Sequence, residues 1–233
     1  MAPKISVIIP TYQHGDTIGT CLLSLFNQTF KEFEIIVVND GSTDNTIEVL
    51  EKYKERIKII NQENRGAPAA RNRGFKESVG QFIIFADADI DAKPEMLAKM
   101  LEALERHPEA SYSYSSFNWG WKAFNLHEFD AGALKKMNYI TATTLIRREH
   151  FPGWDESFKK FQDWDLWLTM LEQGHVGVWV PEILFDVIDT KATMSRWLPS
   201  FMYKIPWEKI GWAPKAIKKY NAALKIIKEN HHL

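Results

Sequence analysis

The chain predicts a doubly wound α/β fold, and three observations carry that prediction. Short runs rich in Ile, Val and Phe alternate with segments of helical spacing through the first hundred residues. The apolar runs are nearly continuous rather than alternating, which suits parallel strands covered on both faces. Each run ends in polar or acidic residues, as strands do when their carboxyl ends open onto a ligand crevice.

Taken in order, Ile5–Pro10, Glu34–Asn39, Ile57–Asn61 and Gln81–Ala86 read as strands. Helical spacing occupies Thr17–Asn27, Thr43–Tyr53 and Ala67–Val79 between them. Pro94–His107 comes next as a helix with Met96, Leu97, Met100, Leu101 and Leu104 on one face and a proline at its start. Such repetition implies right-handed crossovers. Beyond His107, Ala110–Phe117 and Tyr139–Ile146 read as strands, and the aromatic stretch Asn118–Asn138 as a long loop. Phe161–Gln173 reads as a helix, and Val176–Val180 and Ile183–Ile188 as short strands. Pro199, Pro206 and Pro214 divide the C-terminal region into short pieces, and Pro214–Asn230 closes the chain as an amphipathic helix with Ile217, Tyr220, Leu224 and Ile227 on one stripe. His231-His232 reads as a mobile end.

Charge is unevenly spread. From Thr190 onward nine lysines and arginines face two acids, Glu208 and Glu229, for a net of +7, so the preceding residues carry −8. An acidic body with a basic tail suggests an anionic partner for the tail. The lone cysteine, Cys21, reads as a buried core residue. No apolar run is long enough to cross a bilayer and no leader is evident, so the expectation is a cytoplasmic protein.

Four strand ends hold the candidate chemistry: Pro10-Thr11-Tyr12, Asn39-Asp40-Gly41-Ser42, Asn64-Arg65-Gly66 and Asp87-Ala88-Asp89-Ile90-Asp91. Two carboxylates one residue apart repel unless a cation or donors compensate, and a hard divalent ion would do so. The alternative is a solvated acidic turn with Asp91 capping the next helix. Asp40 is either part of an ordinary strand-to-helix connection or an acceptor for a base or ribose. In Gln162-Asp163-Trp164-Asp165 the two acids lie about 200° apart on a helix, so they are expected to differ in role. Asp163 is expected in the cleft and Asp165 as an anchor of the helix start. Trp164 and Trp167 read slightly better as core than as walls of a sugar site. Dinucleotide-binding and P-loop glycine patterns are absent, and His and Cys spacings offer no zinc site.

Taken together, Val7–Tyr12, Val37–Asp44, Asn64–Gly66 with Ala70–Asn72, Asp87–Asp89 and Gln162–Asp165 resemble the family 2 glycosyltransferases of GT-A fold. The order and spacing of these segments are more specific than any one of them. The resemblance implies a Rossmann-like, mostly parallel sheet flanked by helices with a C-terminal helical appendage. It implies a GT-A domain over 1–190, divided into a nucleotide-binding half (1–107) and an acceptor half (108–190), with a basic, aromatic extension over 191–233. It further implies an inverting, metal-dependent transfer of sugar from a nucleoside diphosphate donor, UDP-sugar first among them, to a hydroxyl acceptor on a carbohydrate or a lipid-linked carrier. By analogy Pro10, Thr11, Tyr12, Asp40, Arg71 and Asp87 hold the nucleotide, Asp87 and Asp89 hold Mn²⁺ or Mg²⁺, and Asp163 is the general base. Gln162, Trp164 and Trp119 fall in the acceptor or sugar region. Gln162 stands where the family commonly has Glu, and Asp189-Thr190 stand where many relatives have a further His ligand. Competing readings are a silent nucleotide-sugar-binding protein and a sugar-phosphate nucleotidyltransferase. The second should show a glycine-rich basic loop after strand one, where this chain has Pro10-Thr11-Tyr12-Gln13-His14. Trp197, Leu198, Phe201, Met202, Tyr203, Ile205, Trp207 and Trp212 are interspersed with lysines, which fits either peripheral contact with the inner membrane face or a packed helical subdomain. No nucleic acid partner is expected.

Overall fold

A computed structural model describes residues 2–188, 205, 207 and 214–233. The strands are β1 (Ile5–Thr11), β2 (Phe33–Asp40), β3 (Lys58–Gln62), β4 (Phe82–Phe85), β5 (Ile90–Ala92), β6 (Tyr112–Trp119), β7 (Lys122–Phe124), β8 (Leu145–Arg147) and β9 (Gly177–Val187). The helices are α1 (Ile18–Phe26), α2 (Thr46–Glu51), α3 (Ala67–Lys76), α4 (Met96–Arg106), α5 (Ala131–Lys136), α6 (Gln162–Glu172) and α7 (Lys215–Asn230).

The sheet runs β3-β2-β1-β4-β8-β6-β9-β5, with β7 added on β6. The first four strands are parallel, and the order reverses between β1 and β4. In an open α/β sheet that reversal is where a crevice forms outside the carboxyl ends. The expectation of a mostly parallel sheet holds for this half. Beyond β4 the sheet is mixed, because β8, β7 and β5 pair antiparallel while β6 and β9 pair parallel.

Two apolar layers sandwich the sheet. One joins the β1 and β2 face bearing Val7, Ile9 and Val37 to α1 and α4, including the five apolar α4 residues read from the sequence. The other sets Ile8, Ile83 and Phe85 against Tyr112, Trp154, Trp164 and Trp167. Helix α3 crosses β1 through Gly74, where an added Cβ would lie 2.4 Å from Ile8 Cγ2. Cys21 is buried as expected. No helix among the described residues is long and apolar enough to cross a membrane.

Several expectations are corrected. Asn118–Asn138 is not a single loop: β6 continues to Trp119, β7 returns along it, and α5 comes after, with Asp130 accepting from Ala133 N as its cap. The strand predicted over Tyr139–Ile146 shrinks to Leu145–Arg147. Thr144 N–H bonds Ala142 O and Thr144 Oγ1–H bonds Thr141 O, so these threonines turn the chain locally instead of pairing. Asp91 caps no helix, since it sits exposed within β5.

The C-terminus is not a mobile end at His231. That side chain is buried, with Nε2 3.0 Å from Asp165 Oδ1 and Nδ1 2.9 Å from Glu172 Oε1. Ile227 of α7 enters the second apolar layer, and Tyr220 meets Phe161 edge-on at 5.3 Å. The readings placed on Asp189-Thr190, Trp197 to Tyr203 and Trp212 lie outside the described residues.

Candidate active site

The site forms where β1, β2 and β4 end. The backbone leaves β1 through Thr11, passes an exposed Tyr12 and turns at Gln13, whose φ is +60°. The Gln13 side chain sets the turn. Its Oε1 accepts from Thr43 N and Asp44 N, and its own N–H bonds Ser42 Oγ. Asp44 then takes Gly15 N and Thr46 N, so two neighbouring strand-end loops are tied together. The Oγ1 of Thr11 is buried and has no partner among the described residues. Such an atom is costly unless a ligand or water meets it.

Asp40 closes β2, and Gly41 permits the next turn with φ +75°, where an added Cβ would lie 2.9 Å from Asn64 N. The Asp40 carboxylate is buried and accepts three bonds, from Gln62 Nε2 (2.7 Å), Arg65 N (2.9 Å) and Gly66 N (2.8 Å). The sequence placed Asp40 against the nucleoside. Here its oxygens are engaged in shaping the 62–66 loop that leads into α3.

Asp87 and Asp89 lie just beyond β4. Asp87 is partly exposed and receives Arg71 Nη2 at 2.9 Å. Asp89 is buried, and its carboxyl is pushed up to about 7, first by burial and then by the charge of Asp87. Among the described residues no group of three or more His, Cys, Asp or Glu is arranged around a metal position.

Arg71 is the hub of the site. It is buried, with its guanidinium 4.5 Å over the Trp154 ring. Its Nη1 reaches Gln162 Oε1 at 3.3 Å, while Nε has no partner among the described residues. One side chain therefore links the acid pair to the start of α6. The sequence offered Arg71 as a direct nucleotide contact, whereas here both its amino groups are engaged with protein.

Helix α6 begins abruptly. Phe161 sits in the left-handed region at φ +59°, uncommon for a bulky residue and a form of local strain. Asp163 in the first turn is half-buried, and its Oδ1 accepts from Trp164 N at 3.0 Å. Burial raises its carboxyl above the ordinary range, while the nearby Arg71 charge pulls it down. Asp165 points to His231 instead, so the two acids do differ in role. Trp164 is buried and its indole N–H donates to Leu134 O at 2.7 Å, so it is core, as its spacing suggested, and not the sugar-region residue that the resemblance implied. Trp119 is half-buried at the end of β6.

Sequence reasoning missed His14, Trp154 and His231. His14 titrates below its ordinary range because of burial, opposed by the charges of Asp87 and Asp44. Its position right after the β1 segment was the one available signal. Trp154 and His231 gave none, since their partners are distant in sequence.

The sheet reverses between β1 and β4 with paired acids beyond β4, and the fold is an α/β fold of the GT-A type. The family description "Glycosyl transferase family 2" matches residues 6–161, and the chain belongs to that family. It is 44% identical over 101 residues to the glycosyltransferase YibD of Escherichia coli K12, covering 42% of this chain and 29% of YibD. It is 27% identical over 248 residues to TuaG of Bacillus subtilis 168, a glycosyltransferase provisionally assigned to teichuronic acid biosynthesis, covering 93% of this chain and 97% of TuaG. The fold is similar to that of S. aureus TarS 1-349 in complex with UDP-GlcNAc, with a TM-score of 0.69, 20% identity, and 86% of this chain and 64% of that one covered. It is also similar to the mannosyltransferase PcManGT of Pyrobaculum calidifontis in complex with GDP-Man and Mn²⁺, with a TM-score of 0.65, 18% identity, and 82% and 59% covered.

Proposed function

We propose that the chain is an inverting glycosyltransferase that moves a sugar from a nucleoside diphosphate donor, UDP-sugar first among them, to a hydroxyl of a carbohydrate or lipid-linked acceptor in polysaccharide or glycoconjugate synthesis. The observation that carries the reading is the convergence on Arg71 of Asp87, from the acid pair after β4, and the first turn of α6. TarS, solved with UDP-GlcNAc, supports the donor class.

The acid pair suits a divalent cation. It offers hard oxygen donors, and Asp89 carries a burial and repulsion penalty that a cation would relieve. Mg²⁺ or Mn²⁺ needs only one or two protein carboxylates when phosphate oxygens and water complete its shell. Asp87 and Asp89 would hold the ion, which when bound would neutralise charge on the departing diphosphate. PcManGT, solved with Mn²⁺, supports this reading.

The remaining work falls to this chain's own residues. Residues 1–107 form the donor half. Tyr12, exposed at the β1 end, offers a ring to the base, and Pro10 and Thr11 set the edge on which the nucleoside lies. Asp40 keeps the 62–66 loop in place. Arg71 keeps Asp87 turned toward α6. Asp163 accepts the proton from the acceptor hydroxyl, whose oxygen bonds to the anomeric carbon on the face opposite the leaving group. The bond from that carbon to the diphosphate oxygen breaks, and the nucleoside diphosphate leaves with the electron pair. Configuration inverts, with no covalent enzyme intermediate. Acceptor groups come from residues 108–190, Trp119 and Gln162 included. Whether the basic 191–233 extension also rests on an anionic membrane is answered by co-sedimentation with phosphatidylglycerol vesicles, where salt-sensitive pelleting supports contact and its absence excludes it.

The test is release of nucleoside diphosphate from a panel of sugar nucleotides with Mn²⁺, in wild type and Asp163→Asn. Wild type is expected to turn over one donor class, and the variant to lose at least about 10²-fold in turnover while its donor binding is kept. Wild-type turnover in the variant would overturn the base assignment.

A further inference from the structure

Trp121 is 97% exposed, whereas the other large aromatics among the described residues are mostly packed. It occupies the tip of the β6–β7 hairpin, where Trp119 pairs with Lys122 and Gly120 and Trp121 form the two-residue turn. Gly120 at φ +55° supplies the positive dihedral that such a tight turn demands at its first central position.

The hairpin is held firmly. Phe117 stacks between Phe124 (centroids 4.8 Å, planes 2° apart) and Phe185 (5.3 Å, 3°). Asn118 Nδ2 donates to Asp186 Oδ1 at 2.6 Å. An indole on so stiff a mount loses little further freedom when it binds.

Its position is set by register. Trp119 pairs with Val187, Val187 pairs with Ile90, and Ile188 N–H bonds Asp89 O at 2.7 Å. The turn therefore lies two strand spacings, about 10 Å, from the backbone of Asp89. The distance suits a ring next to the reacting centre, beyond the donor sugar.

From these observations we propose that Trp121 is the stacking platform for a sugar ring of the acceptor. The proposal rests on the donor reading of the same site and assigns its acceptor to the carbohydrate class. A pyranose offers a face of C–H groups that an exposed indole can cover while the rim hydroxyls stay wet. The surroundings favour this over a lipid surface. Asp91 is exposed on β5, two strands away, and Asp87 opens beyond the end of β4, so an anionic leaflet would be repelled. Among the described residues nearby, Lys93 is paired with Asp186, and Lys122, which lies over the Phe124 ring and keeps its charge, is outnumbered by these two acids.

The experiment uses the full chain, with and without UDP and Mn²⁺, on an array of immobilised neutral and acidic oligosaccharides and on phosphatidylglycerol vesicles. Wild type, Trp121→Ala and Trp121→Phe are compared, with melting temperature and the UDP-induced thermal shift recorded for each. Wild type is expected to retain a defined set of glycans. The alanine variant should bind them about tenfold more weakly, or about 1.4 kcal/mol, and the phenylalanine variant about threefold. Melting temperature and UDP shift should be the same in all three, because an exposed ring carries no core packing. Equal retention by Trp121→Ala, no glycan retained by wild type, or Trp121-dependent binding to vesicles would each overturn the proposal. Loss of the UDP shift in all three proteins would instead count against the donor reading, and the array without UDP still decides the role of Trp121.

Discussion

The two sides of the sheet are built by different rules. On the β1–β4 side, each candidate carboxylate lies within a few positions of a strand end: Asp40 closes β2, and Asp87 and Asp89 follow β4. On the β6–β9 side, position comes from partners far along the chain. Trp154 lies over Arg71, 83 residues earlier. His231 locks Asp165 and Glu172 of α6 from the last turn of the molecule. The proposed donor edge is thus a local property of strand and turn, whereas the proposed base is presented by a helix whose first turn depends on tertiary contacts. A change on the first side should strike binding and stability together. A change on the second should leave donor binding intact.

The largest effect expected from this contrast is at Asp40. Its removal in Asp40→Ala leaves Arg65 N, Gly66 N and the Gln62 amide without their acceptor. Stability should fall by about 3 kcal/mol, read from urea unfolding, and nucleotide affinity should fall with it. A soluble variant with unchanged midpoint would show that the 62–66 loop is not held by this carboxylate.

His231→Ala should cost less, about 1–2 kcal/mol, because it leaves Asp165 buried without its partner. UDP binding should be preserved while turnover drops, which separates the two sides directly. Equal loss of binding and turnover would erase the distinction.

The smallest effect is a pH shift. Burial holds the Asp163 carboxyl above the usual carboxylate range, and Arg71 restrains that rise. A base must be deprotonated to work, so turnover should fall with decreasing pH through a limb lying above that range. Gln162→Glu would place a second carboxylate on Arg71 Nη1 and draw the guanidinium charge away from Asp163. The limb should then move to higher pH, by a fraction of a unit. A limb unmoved, or moved to lower pH, would mean that Arg71 does not tune the base.

The same contrast explains what was legible in the sequence. The strands β1, β2 and β4 and helix α4 were readable because their apolar spacing is local. The acid pair, two carboxylates one residue apart after an apolar run, was visible too, but by itself it equally suits a solvated turn, and the family resemblance is what made it a metal reading. The three bonds to Asp40 were not readable, because a residue that accepts from backbone N–H groups 25 and 26 positions away leaves no pattern. The threonines before β8 look like strand formers, yet their hydroxyl and amide bonds turn the chain instead. Trp164 and Trp121 show the limit most clearly. Both are tryptophans in aromatic stretches; helical spacing leaned toward core for Trp164, but only the folded chain shows its bond to Leu134 O and shows that Trp121 stands in water.

The central claim is that Asp89 and Asp87 grip a divalent ion and through it the donor diphosphate. Calorimetric titration of UDP into wild type and Asp89→Asn, each with Mn²⁺ and with EDTA, tests it most directly. Binding is expected in wild type with Mn²⁺ alone, weaker by at least about tenfold in EDTA and in the variant, whose melting temperature should match or exceed that of wild type once a buried repulsion is removed. UDP affinity that is the same in all four titrations would contradict it.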